Sequence, residues 1–480
     1  MIAMITKYWT RYVPGYLKTL LYMLQNTEYK IGDYLRWYFR TSDFRRVMKR
    51  RGLDMTSKVK LLLVVLRLLT LVFIIVVGLF VYNFYLTGYW GWLLAAVLVA
   101  LSAPKLLAGI IIIPLVIGDI LIQKPRERAI IRRAKGILND HPAVRVAIAG
   151  SYGKTTAKEM LLAVLKQAKS VAATPGNMNT AIGISRFVQK LNGDEDILIF
   201  ELGEERMGDV AQLSRLTVPD IGVITGIAEA HLSSFKTIER TAATIFELAD
   251  FVTPDKLYTN QDNSLVAKYP SKSTGYSYKG LGDWKVSKVS TSVGGTDFTA
   301  KNGSRIVRVH TGLLGIHNIG PTLMAIAIAD SLGLTTKEIE RGLRTVVPFE
   351  HRMEPRPMHG AWIIDDTYNG NSEGVKAGLE FLKDSGAKRR VYVTPGLVEQ
   401  GSMTETVHRE MGRQIATSAD VVVLMENSVT EYIKAGMKKA GFKGKLVEVD
   451  NPLEFYTNLD QFVASGDIVL MQNDWTDNYQ

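Results

Sequence analysis

A chain of 480 residues is long enough for two or three domains and a large core. Residues 1–67 hold 14 Lys and Arg against four acids, so they carry +10 of the whole chain's +11 and the remainder is near neutral. Charge gathered beside an apolar stretch points to a membrane surface and away from nucleic acid, and the absence of cysteine excludes disulfides, Cys-zinc sites and thiol nucleophiles.

The basic arm, residues 1–60, interleaves its cations with Tyr8, Trp9, Tyr12, Tyr16, Tyr22, Tyr29, Tyr34, Trp37 and Tyr38. Such rings favour the headgroup level, and each nearby cation gains about 1 kcal/mol against anionic lipid. The arm therefore reads as an interfacial helical segment, with a small soluble helical domain as the alternative. Residues 61–123 read as transmembrane helices. The stretch 68–86 is 19 residues without a charge, enough to span about 30 Å at about 1.5 Å per residue. A second apolar stretch, 89–122, is interrupted by Pro104, Lys105 and Asp119. It starts too far along the chain, as does the first, for a signal peptide; a buried hairpin is the alternative. Basic segments flank the apolar block on both sides, while the connection 87–91 is uncharged. The positive-inside rule then puts both ends in the cytoplasm, with an even number of crossings, most simply two. Residues 104–122 are either a kinked continuation or a re-entrant piece.

A basic linker, 124–140, leads to alternating short apolar runs and helical stretches. Strands are expected at 144–150, 197–203, 221–227 and 256–262, with helices at 155–168 and 236–249, the pattern of a parallel sheet covered by helices. Residues 274–312 read as an antiparallel insertion and 318–345 as two helices. A second α/β unit follows, with strands at 361–366, 389–395, 420–425, 445–449 and 467–471 and helices between them. The fold class is α/β: a phosphate-loop central domain (141–346) with a mostly parallel sheet and a Rossmann-like C-terminal domain (347–480), preceded by the transmembrane segment.

The stretch "VAIAGSYGKTTAKEM" (146–160) lies at a strand-to-helix turn. The usual phosphate loop, G-x-x-x-x-G-K-[ST], wants a glycine where Ile148 stands. The shorter form here still presents Gly150, Ser151, Tyr152, Gly153, Lys154, Thr155 and Thr156 at a helix N-terminus, where backbone N–H groups and the helix dipole attract anions. Lys154, on a solvent-facing loop, would reach the terminal phosphates of ATP, and the Thr155 hydroxyl would bind Mg²⁺.

Further segments stand in order along 141–480: "ATPGNMNTAIG" (173–183), "FELG" (200–203), "AEAHL" (228–232), "GIHNIG" (315–320), "EHRME" (350–354) and "IDDTYNGN" (364–371). With the short loop, they resemble the Mur ligases, and within that family the members that add D-alanyl-D-alanine to a UDP-N-acetylmuramoyl tripeptide. The resemblance implies ATP-dependent amide bond formation through an acyl phosphate, a reaction that needs cations and fixed donors more than a covalent nucleophile. It implies that Lys154 contacts the β- and γ-phosphates, that Thr155 ligates a first Mg²⁺, and that Glu201 and His231 hold a second. Asn318 would contact adenine, Arg352 and Asp366 the phosphates and ribose, and Asn177 and Asn179 the phosphate or substrate. Taken alone, Glu201 could be a surface acid, His231 a capping histidine and the two asparagines turn formers.

Four departures stand against the pattern. The family's carbamylated lysine has no counterpart in 237–251, where Ile245 or Ala242 takes its place; either Glu239 or Glu247 substitutes, or the second metal is held more weakly. Pro321 replaces the second Asn of G-x-H-N-x-x-N, the chain ends "QNDWTDNYQ", and the membrane segment stands where relatives have a uridine-nucleotide domain. The expected protein is a multi-pass enzyme of a bacterial-type cytoplasmic membrane with its ligase domains in the cytoplasm. It would join an amino acid or dipeptide to a cell-envelope precursor, lipid-linked or free, with membrane lipid as a partner and no nucleic acid. A poly-γ-glutamate-type synthase and a non-catalytic ATP-binding envelope scaffold are the alternatives.

Overall fold

The computed structural model describes residues 9–27, 29–41, 43–45, 47, 52–176, 178–228, 235, 237–368, 370–398 and 400–473. The chain divides into two units, Met1–Ala129 and Ile130–Gln480.

In the first unit, α1 (Tyr16–Asn26) and α2 (Ile31–Arg40) precede two long helices, α3 (Ser57–Thr87) and α4 (Trp90–Ile110). Thr56 caps α3 by accepting from Val59 N–H at 3.3 Å, and Gly88 ends it at φ 66°, a backbone conformation that suits glycine. Two helices, Ser57–Thr87 and Trp90–Asp140, are long and apolar enough to cross a membrane. Leu68, Leu71, Ile75 and Leu79 are exposed along α3 although apolar.

Pro104 lies inside α4 and has no N–H to offer the Ala100 carbonyl. Tyr12 Oη donates to that carbonyl instead, Tyr16 Oη donates to Pro104 O at 2.9 Å, and Tyr34 Oη donates to Ala108 O at 3.1 Å. The three carbonyls are four residues apart, one helical turn each. Tyr16, Tyr34 and Tyr38 are accordingly buried with Phe44, Leu62, Leu66 and Leu107 in one cluster. Those rings are core, in place of the headgroup belt expected from sequence; Trp9 and Tyr12 are exposed.

The second unit holds two sheets. The first has the order β10-β9-β8-β7-β6-β5-β4-β1-β3-β2. Its parallel part is β2 (Val171–Ala173), β3 (Ile197–Glu201), β1 (Val144–Ala149), β4 (Ile221–Ile224), β5 (Leu257–Asn260) and β6 (Thr274–Ser277). Strands β7 (Gly280–Leu281), β8 (Trp284–Ser292), β9 (Gly295–Asn302) and β10 (Arg305–Thr311) add on antiparallel. The insertion expected to be antiparallel, 274–312, thus extends the parallel sheet edgewise, its first strand β6 pairing parallel with β5 and the rest antiparallel. Val146–Ala149 is buried, as a central parallel strand covered on both faces requires. One face packs Val146 and Ile148 against Met160, Leu161 and Leu323; the other packs Ala147 and Ala149 with Ala134 and Leu138 of α5 (Lys124–Asp140).

The second sheet runs β11-β12-β16-β13-β14-β15 and is parallel except for β11. Five of its strands, β12 (Ala361–Asp366), β13 (Arg389–Thr394), β14 (Val421–Met425), β15 (Lys445–Val449) and β16 (Asp467–Gln472), lie where the apolar runs place them. β11 (Glu354–Met358) was not expected. Its sequence, EPRPM, carries two prolines, which an edge strand tolerates because one side of its ladder is unpaired.

Candidate functional site

β1 ends at Ala149, and the chain turns through Gly150 and Gly153 into α6 (Lys154–Leu165). Both glycines have positive φ, 149° and 77°. A Cβ on Gly150 would stand 2.1 Å from Thr225 Oγ1, so the loop after β4 closes against it only because no side chain is there. Ser151 N–H donates to Gly226 O at 2.7 Å, and Thr225 Oγ1 donates to Tyr152 O. Ser151 Oγ is buried and, among the described residues, has no hydrogen-bond partner. The loop is therefore fixed before any ligand arrives, with a hydroxyl and free helix N-terminal N–H groups inside it.

Lys154 is not on a solvent-facing loop, as expected from sequence; its side chain is 12% exposed. Its Nζ donates to both carboxylate oxygens of buried Glu204, at 2.9 and 3.1 Å, and to Gly150 O. Thr155 Oγ1 donates to Glu201 Oε2 at 3.1 Å, and Asn179 Nδ2 lies 3.5 Å from Glu201 Oε1. Lys154, Thr155, Asn179 and Glu201 are thus brought together at the ends of β1 and β3. His231 and Asn177 lie outside the described residues.

Two residues here escaped the sequence reading. Lys158, one turn along α6 and 0% exposed, donates to Thr174 O at 2.8 Å and Gly176 O at 3.0 Å and lies 3.4 Å from Glu201 Oε2. Glu204 pairs with Lys154. The signal for Lys158 was its four-residue spacing from Lys154, which puts both on one helical face; nothing in the sequence marked Glu204. The expected stand-ins for the missing lysine are corrected. Glu247 accepts from Gly208 N at 2.9 Å and Ala211 N at 2.8 Å, so both of its oxygens cap α7 (Asp209–Thr217). Glu239 is fully exposed in the first turn of α8 (Ile238–Phe246). Ala242 and Ile245 are buried in the core.

Tyr152, Thr156, Asn318, Arg352, Asp366 and Tyr368 line a cavity of about 630 Å³ in this unit. Asn318, preceding α9 (Ile319–Ser331), donates to Leu314 O at 2.7 Å and lies 3.1 Å from His317 Nε2. Burial pushes His317 down to about 4, so its ring is neutral at pH 7. The Arg352 guanidinium sits 4.7 Å from the centre of the Tyr368 ring. The turn carrying Arg352 holds His351 and Met353 at φ 60° and 48°, a strained conformation. It is fastened by His351 Nδ1 to Asp365 Oδ2 at 2.8 Å and by Met353 N–H to Asp366 Oδ1 at 3.2 Å. Burial lifts Asp366 to about 7, against the hydrogen bonds from Gln472 and Met353 that favour its charge.

Residues 148–329 match the family model of the Mur ligase middle domain, and residues 351–472 that of the Mur ligase glutamate ligase domain. The chain is 27% identical over 343 residues to the UDP-N-acetylmuramoyl-tripeptide--D-alanyl-D-alanine ligase of Bacillus subtilis, covering 71% of this chain and 75% of that one. It is 29% identical over 300 residues to the enzyme of the same name from Escherichia coli, covering 61% and 66%. Among solved structures, the MurF ligase of Thermotoga maritima in complex with ADP superposes with a TM-score of 0.63 at 26% identity, covering 72% and 80%. MurF of Acinetobacter baumannii reaches 0.64 at 22% identity, covering 72% and 77%, a likeness of fold.

Proposed function

The chain belongs to the Mur ligase family of ATP-dependent ligases, and from that premise we propose that it joins an amine to a carboxylate of a peptidoglycan precursor through an acyl phosphate. The observation that carries the reading is the meeting of Lys154, Thr155 and Glu201 at the end of a preformed phosphate loop. The γ-phosphoryl group of ATP passes to the acceptor carboxylate, ADP leaves, and the amine nitrogen attacks the acyl carbon and expels phosphate. Lys154 exchanges Glu204 for the phosphate oxygens and offsets the charge that moves between them. Ser151 Oγ, buried and unpaired among the described residues, is placed to donate to a phosphate oxygen. Arg352 and Asp366 close the cavity from the C-terminal side, so the nucleotide site is complete only when both parts of the unit surround it.

The Thr155 hydroxyl and Glu201 carboxylate form an oxygen donor set of the kind Mg²⁺ favours, and the ion would supply charge stabilisation for the transferring phosphoryl. Asn179 and Lys158 hold the Glu201 carboxylate in place for that role. We further assign the helices beginning at Ser57 and Trp90 as membrane crossings, with the ligase unit in the cytoplasm and the acceptor presented at the membrane.

The test is ADP release from the detergent-solubilised full chain against a panel of acceptors and donors. D-Alanyl-D-alanine with a muramoyl tripeptide, free or lipid-linked, should stimulate release, and glutamate alone should not. Stimulation by glutamate with a polyglutamate acceptor would replace this reading with the synthase alternative; no acceptor-dependent release from intact protein would favour the scaffold.

A further inference from the structure

The first unit contains a second cavity, about 660 Å³, between the arm and the two long helices. Its origin is legible in the residues that wall it. On α4, Ala100, Ala103 and Pro104 are small or kinked, and α3 sets Leu63, Phe73, Ile74 and Val77 across from them without filling the space. Three cations, Arg11, Lys18 and Arg67, line the same cavity. Arg11 is held by aromatic rings, its guanidinium 5.1 Å from the centre of Phe44 and 5.9 Å from that of Tyr38. The acids of this unit that form ion pairs, Asp33, Asp43 and Asp119, are matched with Arg36, Arg45 and Lys124. Among the described residues, none pairs with Lys18 or Arg67. From Arg67 the lining continues along α3 through Thr70 to Val77, about 15 Å at the rise of a helix. Three cations in an otherwise largely apolar lining are the complement of an anionic amphiphile, and the volume is that of a ligand pocket.

We propose that this cavity binds a lipid phosphate, the phosphate between Arg11, Lys18 and Arg67 and one apolar chain along α3 toward Val77. Guanidinium forks match phosphate oxygens in pairs, and three cations exceed what a single carboxylate would need. The proposal rests on the membrane assignment above. A bilayer glycerophospholipid and a polyprenyl phosphate share this chemistry, and the latter is the form in which an envelope precursor would be lipid-linked.

The test uses the full chain purified in detergent. Sedimentation with membranes before extraction checks the membrane assignment separately: a chain that stays soluble without detergent overturns that assignment, whatever the lipid result. Binding is then measured by native mass spectrometry with phosphatidylglycerol, phosphatidylcholine and a polyprenyl phosphate. The expected result is at least tenfold tighter binding of one or both anionic lipids than of phosphatidylcholine. Preference for the polyprenyl phosphate over phosphatidylglycerol identifies a precursor carrier, and equal binding identifies a bilayer lipid. Lys18→Gln with Arg67→Gln should weaken anionic binding at least tenfold, and Ala103→Phe should fill the cavity and block both. The first two positions are exposed, so that double variant should keep its elution profile and nucleotide binding. Equal binding of phosphatidylcholine, or unchanged affinity in the folded double variant, overturns the site.

Discussion

Lys158→Met removes a buried cation while keeping most of its stem. Lys158 Nζ lies 3.4 Å from Glu201 Oε2 and donates to the carbonyls of Thr174 and Gly176. At an effective dielectric of about 20, two charges that close attract by about 5 kcal/mol. The desolvation of both ions offsets part of that in the intact protein, but a variant lacking one partner leaves Glu201 charged, buried and under-compensated. Thr155 and Asn179 still reach the carboxylate, so the loss should fall in the usual range for breaking a buried pair, about 3–5 kcal/mol. Native-state hydrogen exchange reads this directly: the most protected amides of β1 and β3 should exchange about 100- to 1,000-fold faster or more. Residues 171–176 should lose protection first, because their carbonyls are the ones untied. Adding Glu201→Gln should recover a large part of the loss, since it removes the stranded charge. A loss under about 1 kcal/mol, or a double variant no better than the single one, would refute the claim that Lys158 and Glu201 support each other.

Lys154→Met should abolish ATP turnover and, by stranding buried Glu204, also lower stability; Lys154→Met with Glu204→Gln should regain the stability and none of the turnover, as measured by ADP release and thermal unfolding. Gly150→Ala forces a Cβ against Thr225 Oγ1, so nucleotide affinity measured by calorimetry should fall at least tenfold, and unchanged affinity would show that nucleotide binding does not need the close approach. Asp366, at about 7 against 3.8 when unfolded, keeps a proton that the unfolded chain has released across that interval. The fold therefore loses stability as pH rises from about 4 to 7, by up to about 4 kcal/mol. Asp366→Asn should flatten that slope in urea unfolding at pH 5 and 8, and a slope identical to wild type would assign it to other groups. Glu201→Gln should raise the Mg²⁺ concentration needed for half-maximal ADP release, and an unchanged requirement would take Glu201 out of the metal site.

The phosphate loop was readable because its signals are local: a buried strand, two glycines at a turn, and a lysine and threonine opening a helix. The strands of the second sheet were readable for the same reason, each being a short apolar run. Glu204 and Lys158 were not, because their roles depend on which backbone and side-chain atoms meet across β1 and β3. β11 was hidden by Pro355 and Pro357, which argue against a strand unless it lies at an edge. The arm misled in a more specific way. Tyrosines beside cations look the same whether the rings face headgroups or a core, but Tyr34 and Tyr38 repeat at four residues and so share a face of α2. That periodicity pointed to packing against another helix, and the cations between the rings obscured it.

The tyrosine hydroxyls on α4 also impose an order on biosynthesis. Tyr16 and its acceptor carbonyl are separated by 88 residues, and Tyr34 and its acceptor by 74. At about 5–20 residues per second, the arm leaves the ribosome roughly 4–18 s before its partners exist. During that interval its aromatic rings have no helix to bury against, so the newly made arm is a substrate for chaperones or for the membrane surface. Moving those tyrosines downstream of α4 by circular permutation would shorten the exposure.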